Sequence, residues 1–357
     1  MATLAFPTTR DEAWRWSDLP GLRAAADLPA TSPATPRFLD LGGPRLVFVD
    51  GVFDAAASTP GRVTIAHLDL ATDHPLGRRA VGTGWSLTLA AEQVETGVEI
   101  VHVSTGGENH LPGRIILAED AVASVVETFV GTGWANRLTR IELGRSARLQ
   151  RWSRILQDDG FVSLRDEARV GQGASLVTTI LGAGGMGSRI DARIEIVGEE
   201  AYAEMGGALL TRGSQRQECA VAIRHAAAHG QSNQTWRAVA ADKSAASLAA
   251  RVEVARDAQK TDGVQSLRGL LLQRTATINL KPELEIFADD VKCAHGATVG
   301  ELDKRAMFYL ASRGIDPARA TALLTRAFVA DALDRIGDEA VREAFAADAD
   351  AWLEAAT

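Results

Sequence analysis

The sequence predicts a mainly β protein: a right-handed parallel β-helix (β-solenoid), flanked by a short N-terminal helical segment and a C-terminal helical domain. Three observations support this. Short apolar runs are separated by Gly, Asp and Asn, one turn formula recurs at nearly constant spacing, and the apolar period becomes helical near residue 301. We therefore divide the chain into residues 1–36, 37–300 and 301–357.

The bulk composition excludes several classes of protein. A net charge of -8 argues against sequence-independent nucleic-acid binding, which requires a surplus of Lys and Arg. No apolar run approaches the roughly 18 residues of a membrane span, and charged residues interrupt the N-terminus where a signal peptide would be apolar. We expect no membrane partner and a cytoplasmic location.

The first element is a short helix preceded and followed by irregular chain. Thr9 with Glu12 three residues later forms a capping-box pattern, and Trp16 would lie on the inner face of that helix. The stretch PATSPATP at 29–36 predicts a linker, after which short β runs begin.

The central region carries the repeat that indicates a solenoid. An apolar residue, a Gly or Ala, two further residues and an Ala precede each new β run. The final alanines are spaced 26 or 27 residues apart, as stacked coils require: Ala121, Ala147, Ala174 and Ala201. The pattern weakens after Gly206, with faint echoes at 239–244 and 287–291.

The C-terminal region has three predicted helices. The first follows residue 301 and stops at Gly314, and the second starts with Asp316 as N-cap and Pro317 at the first helical position. The third spans about 338–352. These helices could close the open end of the solenoid, and they could also dock a partner.

Cys293 and His295 form the strongest candidate site. They follow a predicted strand, and in extended chain residues i and i+2 project to the same side, which makes a two-donor site for a soft metal. The adjacent Asp289 and Asp290 are better explained as turn residues than as an acid–base pair. With Cys219 the only other cysteine, a cluster needs donors from another chain.

The stretch ADDVKCAHGATVGELD at 288–303, followed by FYLASRGI at 308–315, resembles the SufB/SufD family of iron–sulfur cluster assembly scaffold subunits. The N-terminal FPTTRDEAW at 6–14 is also similar to that family. The Cys-x-His-Gly-Ala-Thr arrangement identifies the chain with the D-type (SufD) members.

The resemblance implies a non-catalytic scaffold with a β-helix fold. It implies pairing with a SufB-like subunit near Cys293 and His295, where an iron–sulfur cluster forms transiently between the two chains. It also implies docking of a SufC-like ABC ATPase on the helices at 302–335. The chain has no phosphate-binding loop of its own. The bound species (iron, sulfide or a whole cluster) and any binding of reduced flavin stay open.

Three other motifs receive structural interpretations. Gly182–Gly187 matches a dinucleotide-binding fingerprint, but the residues after it alternate like a strand, so we predict a turn between coils. His225 and His229 have the spacing of a metal pair on a helix, yet no further donor accompanies them, and we favour structural roles. Cys219 is predicted to pack in the core.

Two alternative functions remain at this point. Parallel β-helices also include carbohydrate-active enzymes, but these need carboxylates clustered in a groove, and the acids here fall mainly in turns. The other alternative is a binding module that forms a homodimer without a SufB-like partner.

Overall fold

A computed structural model describes residues 6–356. It is mainly β, a parallel β-solenoid of about 8 turns with a small N-terminal helix and C-terminal helices, which confirms the predicted fold class. Residues 1–5 and 357 of the predicted flanks lie outside the described residues.

The N-terminal helix lies later in the chain than the capping box predicted. Around the box there is only a single 3-10 turn, Glu12–Trp14, and the α-helix α1 spans Leu19–Ala26. Asp18 caps α1, since its carboxylate accepts a hydrogen bond from the Gly21 amide at 3.1 Å, and Pro20 lies in the first helical positions. The predicted cap at Thr9 is therefore wrong.

Short strands precede the regular coils. They are β1 (Arg45–Val49), β2 (Val52–Phe53), β3 (Thr64–Leu68) and β4 (Gly82–Leu89), with a 3-10 turn at Gly77–Arg79 between β3 and β4. The pairs β1–β2 and β3–β4 are antiparallel, whereas β1 and β4 join the solenoid by parallel pairing with β5.

The coils form two parallel sheets that face each other across an apolar interior. Two long strands, β5 (Val94–Leu117) and β6 (Val122–Leu143), begin the regular stack. Sheet A continues with β8 (Asp159–Val170), β10 (Gly187–Ile196), β12 (Arg216–His225), β14 (Ala245–Val254) and β16 (Thr277–Ile286). Sheet B continues with β7 (Arg148–Ile155), β9 (Ser175–Gly182), β11 (Tyr202–Thr211), β13 (Gln231–Ala240), β15 (Asp262–Leu271) and β17 (Lys292–Glu301).

The repeated alanines lie in one stack of turns between the sheets. Ala121, Ala147, Ala174 and Ala201 are each at most 1% exposed, because a methyl group there is covered by the next coil. The stack continues beyond the repeat that the sequence shows, since β13, β15 and β17 remain in register with β11. The predicted turn at Gly182–Gly187 is also confirmed, as it joins β9 to β10.

The three C-terminal helices are α2 (Lys304–Ser312), α3 (Pro317–Leu333) and α4 (Glu339–Ala356). The predicted cap of α3 is confirmed, because the Asp316 carboxylate accepts the Arg319 amide at 3.0 Å. Helices α3 and α4 pack on the outer face of sheet B, where Trp152 and Val239 meet Leu333 and Phe345 in one apolar cluster. They cover the flank of the solenoid rather than its open end.

Candidate functional site

The last coil leaves one end of the solenoid open. Within the described residues, β17 pairs only with β15, and β16 pairs only with β14. Each of these strands therefore has one free hydrogen-bonding edge. Inward-facing apolar side chains are uncovered at this end: Ile286 is 39% exposed and Val299 is 43% exposed. Edges of this kind accept additional strands.

Cys293 lies on β17 at this open end. It is opposite Gly263 of β15, and it packs beside Val252 and Val254 at the inner side of the coil. The thiol is half-buried. Burial raises the pKa of the Cys293 thiol, and the Gly263 backbone amide lowers it in part by hydrogen bonding. A metal ion that binds this sulfur must displace its proton.

His295 lies two residues further along β17 and is exposed. Its partner across the ladder is Gln265, which is 2% exposed and faces the interior, so His295 occupies an inward-facing position of the last coil. The predicted strand therefore carries both donors on one side, at the rim of the open end. Asp289 and Asp290 lie in the turn before β17, and the Asp290 carbonyl accepts the Lys260 amide at 2.6 Å.

Among residues 6–356 there is no group of three or more His, Cys, Asp or Glu side chains arranged to hold a metal ion. Thiolate and imidazole are suitable donors for iron and other soft or borderline metals. Two donors alone do not complete the coordination sphere of such a metal.

The other sequence candidates lie elsewhere. Cys219 is 3% exposed within the main core, and burial raises the pKa of its thiol well above the usual range. His225 ends β12 and is buried, with Nε2 at 2.8 Å from the Ser232 hydroxyl, and burial lowers the pKa of His225 to about 4. His229 is in a turn with positive φ. The two histidines share no helix and so form no metal pair on a helix face, which agrees with the structural roles favoured from the sequence.

Helix α2 carries a feature that sequence reasoning missed. Phe308 is 76% exposed and Tyr309 is 56% exposed, and none of the helix's residues is buried. Helix α2 packs mainly against α3, which leaves both aromatic side chains uncovered. Exposed aromatic side chains on a helix are typical of a protein-binding surface.

Three ion pairs fix α3, α4 and the turn between them on sheet B. The Arg154 guanidinium makes two hydrogen bonds to Asp348, at 2.7 and 3.0 Å. Arg237 likewise pairs with Asp331, and Arg335 with Glu204. The Arg154–Asp348 and Arg335–Glu204 pairs are bidentate, which sets orientation as well as attraction, so this part of the helical region has a defined position.

No helix in the described part of the chain is long and apolar enough to cross a membrane.

Comparison with known proteins gives a consistent result. The family model described as "SUF system FeS cluster assembly, SufBD core domain" matches residues 100–328. The chain is 27% identical over 370 residues to the iron-sulfur cluster assembly protein SufD of Escherichia coli K12, covering 94% of this chain and 87% of the relative. An iron-sulfur cluster assembly SufBD family protein of Mycobacterium bovis is 27% identical over 380 residues, 98% of this chain and 89% of the relative. The chloroplastic protein ABCI7 of Arabidopsis thaliana is 28% identical over 242 residues, 64% of this chain and 50% of the relative.

Proposed function

This chain belongs to the SufBD family of SUF-system iron–sulfur cluster assembly proteins, and from that premise we propose that it is a non-catalytic scaffold subunit that pairs with a SufB-like chain. Its SufD-like role in iron–sulfur cluster assembly follows from the family match and from its similarity to the Escherichia coli SufD protein. The family match also disfavours a carbohydrate-active enzyme.

The open end of the solenoid is the observation that carries the pairing proposal. Two free strand edges and uncovered apolar side chains lie together there, and Cys293 and His295 lie at the same end. A second chain that added strands to β16 and β17 would satisfy the free backbone groups and bury Ile286 and Val299. It would also bring its own donors to the thiol and the imidazole.

In this proposal Cys293 supplies a thiolate and His295 a neutral imidazole to iron held between the chains. The nascent cluster is cargo, transiently shared with the partner. Two donors from this chain leave coordination positions for the partner and for sulfide. The cluster can then leave without unfolding either solenoid, because neither chain encloses it.

Pairing is tested by placing a charge at the open end. Val299→Asp should weaken co-purification with a SufB-like chain by about tenfold or more, since it buries an unpaired carboxylate in the joined interior. Val264→Asp is the matched control, because Val264 has nearly the same exposure, 41%, but lies on the outer side of β15. Equal loss with both variants, or with neither, would contradict pairing through the open end.

The donor assignment is tested in the intact complex. Cys293→Ser and His295→Ala should leave pairing unchanged and lower the iron and sulfide content after anaerobic purification. Cys219→Ser, in the core, serves as the control for general loss of thiol. Wild-type iron and sulfide content in both site variants would show that these residues are not donors.

We further propose that a SufC-like ATPase docks on the C-terminal helices at 302–335 and that the complex is cytoplasmic. The exposed aromatics of α2 support the docking surface. The division into residues 1–36, 37–300 and 301–357 is then a division of tasks: an N-terminal segment, the pairing solenoid and the docking region.

A further inference from the structure

The outer face of sheet A contains a depression of about 480 Å³ that extends from β8 to β16. Its floor includes three outward-facing alanines, Ala220 and Ala222 of β12 and Ala249 of β14. Four arginines surround them: Arg165, Arg193, Arg224 and Arg251. We call this region the alanine basin. Its volume lies in the range typical of small-molecule sites.

The basin interrupts a regular alternation of charge across sheet A. Along one row of paired residues the sequence of side chains is Arg140, Glu167, Arg193, Ala222, Arg251 and Glu283. An acid at position 222 would continue the alternation. Because neighbouring strands are about 4.8 Å apart, Arg193 and Arg251 flank a position roughly 5 Å from each that holds only a methyl group.

The residues that line the basin include more arginines than acids, although the chain as a whole carries -8. Four arginines line it against two acids, Glu253 and Glu283. Arg193 pairs with Glu195 at 3.3 Å, and about half of its side chain is exposed. The side chain of Arg251 is exposed to a similar degree and pairs with Glu285 and, at 3.8 Å, with Glu253. Exposed pairs of this kind are weak, so both guanidinium groups can turn towards an anion.

One wall of the basin is fixed by a buried arginine. The N-terminal segment contributes Ala13, whose carbonyl accepts a hydrogen bond from Arg189 at 3.0 Å. Arg189 is 6% exposed, lies 4.0 Å from the centre of the Trp14 ring and pairs with Asp191 at 2.7 Å. The segment that borders the basin is therefore held rigidly on the sheet.

We propose that the alanine basin binds a small organic anion. The apolar body of the ligand lies on the alanine methyl groups, and its phosphate or carboxylate group occupies the position between Arg193 and Arg251 where the row lacks an acid. Arg165 and Arg224 border the remainder of the ligand. The site is independent of the cluster-assembly function, since it lies on the outer face of sheet A and uses neither Cys293 nor His295.

The test is calorimetric titration of the full chain with phenyl phosphate and, separately, with benzoate, which share a flat apolar ring and differ in the acid group. We expect saturable binding of at least one of them. The ligand that binds more tightly shows whether the site prefers a phosphate or a carboxylate group. Inorganic phosphate should bind at least about tenfold more weakly, because it lacks the apolar body. Raising the salt concentration should weaken binding.

Ala222→Glu supplies the missing acid from the protein itself. It should weaken binding by about tenfold or more, while its thermal midpoint stays at or above that of the wild type, because the new carboxylate meets Arg193 and Arg251. Ala245→Glu, at an outward position of β14 outside the basin, is the control and should bind like the wild type. Arg193→Gln and Arg251→Gln should each weaken binding about threefold or more.

Three results would overturn the proposal. The first is that neither phenyl phosphate nor benzoate binds the wild type. The second is that Ala222→Glu, folded by its thermal midpoint, binds as tightly as Ala245→Glu. The third is that inorganic phosphate binds as well as phenyl phosphate, which would reduce the basin to an adventitious ion site.

Discussion

At the scale of single residues, the least predictable feature is a chain of buried charges inside the first coils. His102 is fully buried, with Nε2 at 3.0 Å from Glu127 and Nδ1 accepting a hydrogen bond from the Arg137 guanidinium at 3.1 Å. Arg151 joins Glu127 to Asp166, at 2.7 Å from each. Because Arg137 can only donate, His102 accepts at Nδ1 and donates from Nε2 to Glu127.

This network makes stability depend on pH. Burial and the Arg137 charge lower the pKa of His102 from 6.5 to about 4, so the folded chain resists a proton that the unfolded chain binds. The contribution of neutral His102 to the free energy of unfolding is complete above pH 6.5. It is lost as the pH falls towards 4, and the loss is on the order of 3 kcal/mol. Despite burial, the partners His102 and Arg151 lower the pKa of Glu127 to about 2. Protonation of Glu127 therefore costs further folding stability as the pH falls below 4.5.

His102→Gln tests this dependence by urea unfolding between pH 7.5 and 4.5. His110 and His225 also have pKa values lowered to about 4 by burial, so the variant should remove about one third of the fall in unfolding free energy that the three histidines cause. Asp166, whose pKa burial raises, acts in the opposite sense and is unchanged in the variant. His67→Gln, at an exposed position, is the control and should show the same dependence of unfolding free energy on pH as the wild type. An unchanged slope in His102→Gln would contradict the assignment.

The sequence could not predict this network. His102, Glu127, Arg137 and Arg151 are far apart in the chain, and each lies in a strand whose neighbours look like ordinary alternating β runs. Polar residues at these positions would normally indicate an outward face. Only the stacking of successive coils brings them together. By contrast, Cys293 and His295 could be proposed from sequence because their relation is local, two residues apart in one strand.

At the scale of elements, one stack of turns carries the regularity of the solenoid. Its residues adopt positive φ coil after coil: Glu92, Asp120, Ser146, Gly173, Glu200, His229 and Lys260. The amides of successive members donate to carbonyls of the next turn, as from Ser146 to Gln172 at 2.8 Å and from Gly173 to Glu199 at 2.8 Å. The repeated turn formula in the sequence arises from this ladder of hydrogen bonds and from the buried alanines beside it.

The turn formula is no longer recognisable in the sequence after Gly206, although the coils of the solenoid continue in the structure. Tyr202 pairs with Gln231, which pairs with Asp262, so the coils lengthen beyond the earlier 26 or 27 residues while the strands keep their register. In the first longer coil the extra residues lengthen β11 relative to β9, and in the next coil they lie in the turn before β15. Neither change interrupts the ladder, since the His229 amide still donates to the Gln259 carbonyl at 2.8 Å. A repeat search at fixed spacing loses such coils, whereas the turn geometry, set by φ and by hydrogen bonds, does not depend on turn length.

Gly173 offers a clean test of the turn ladder. Its φ is +61, and a Cβ there would meet nothing closer than the Ser146 hydroxyl at 3.6 Å, so substitution costs only backbone strain. Gly173→Ala should lower the free energy of unfolding by about 1 kcal/mol, and Gly173→Asn by less, because Asn tolerates this conformation. Denaturant midpoints measure both. Gly296→Ala, where φ is not positive and space is open, should change the midpoint little.

At the scale of the whole molecule, the placement of the C-terminal helices separates two surfaces. Since α3 and α4 pack on the flank of sheet B, the end of the solenoid stays open for a partner, and α2 extends with exposed aromatics. Removing residues 301–357 would expose Trp152 and Val239 to solvent. Loss of ATPase docking in such a deletion could then not be distinguished from loss of folding. Point changes on α2 avoid this problem.

Phe308→Ser is such a change, and it should abolish or weaken by about tenfold the co-purification of a SufC-like ATPase, since a 76% exposed aromatic side chain contributes little to this chain alone but can anchor an interface. Pairing through the open end should be unaffected, and so should the thermal midpoint. Val52→Ser, at a residue 70% exposed on β2, is the control for loss of exposed apolar surface. If Phe308→Ser retained the ATPase while Val299→Asp lost it, docking would depend on the paired solenoids instead of α2, and the assignment of the helices as the docking surface would be wrong.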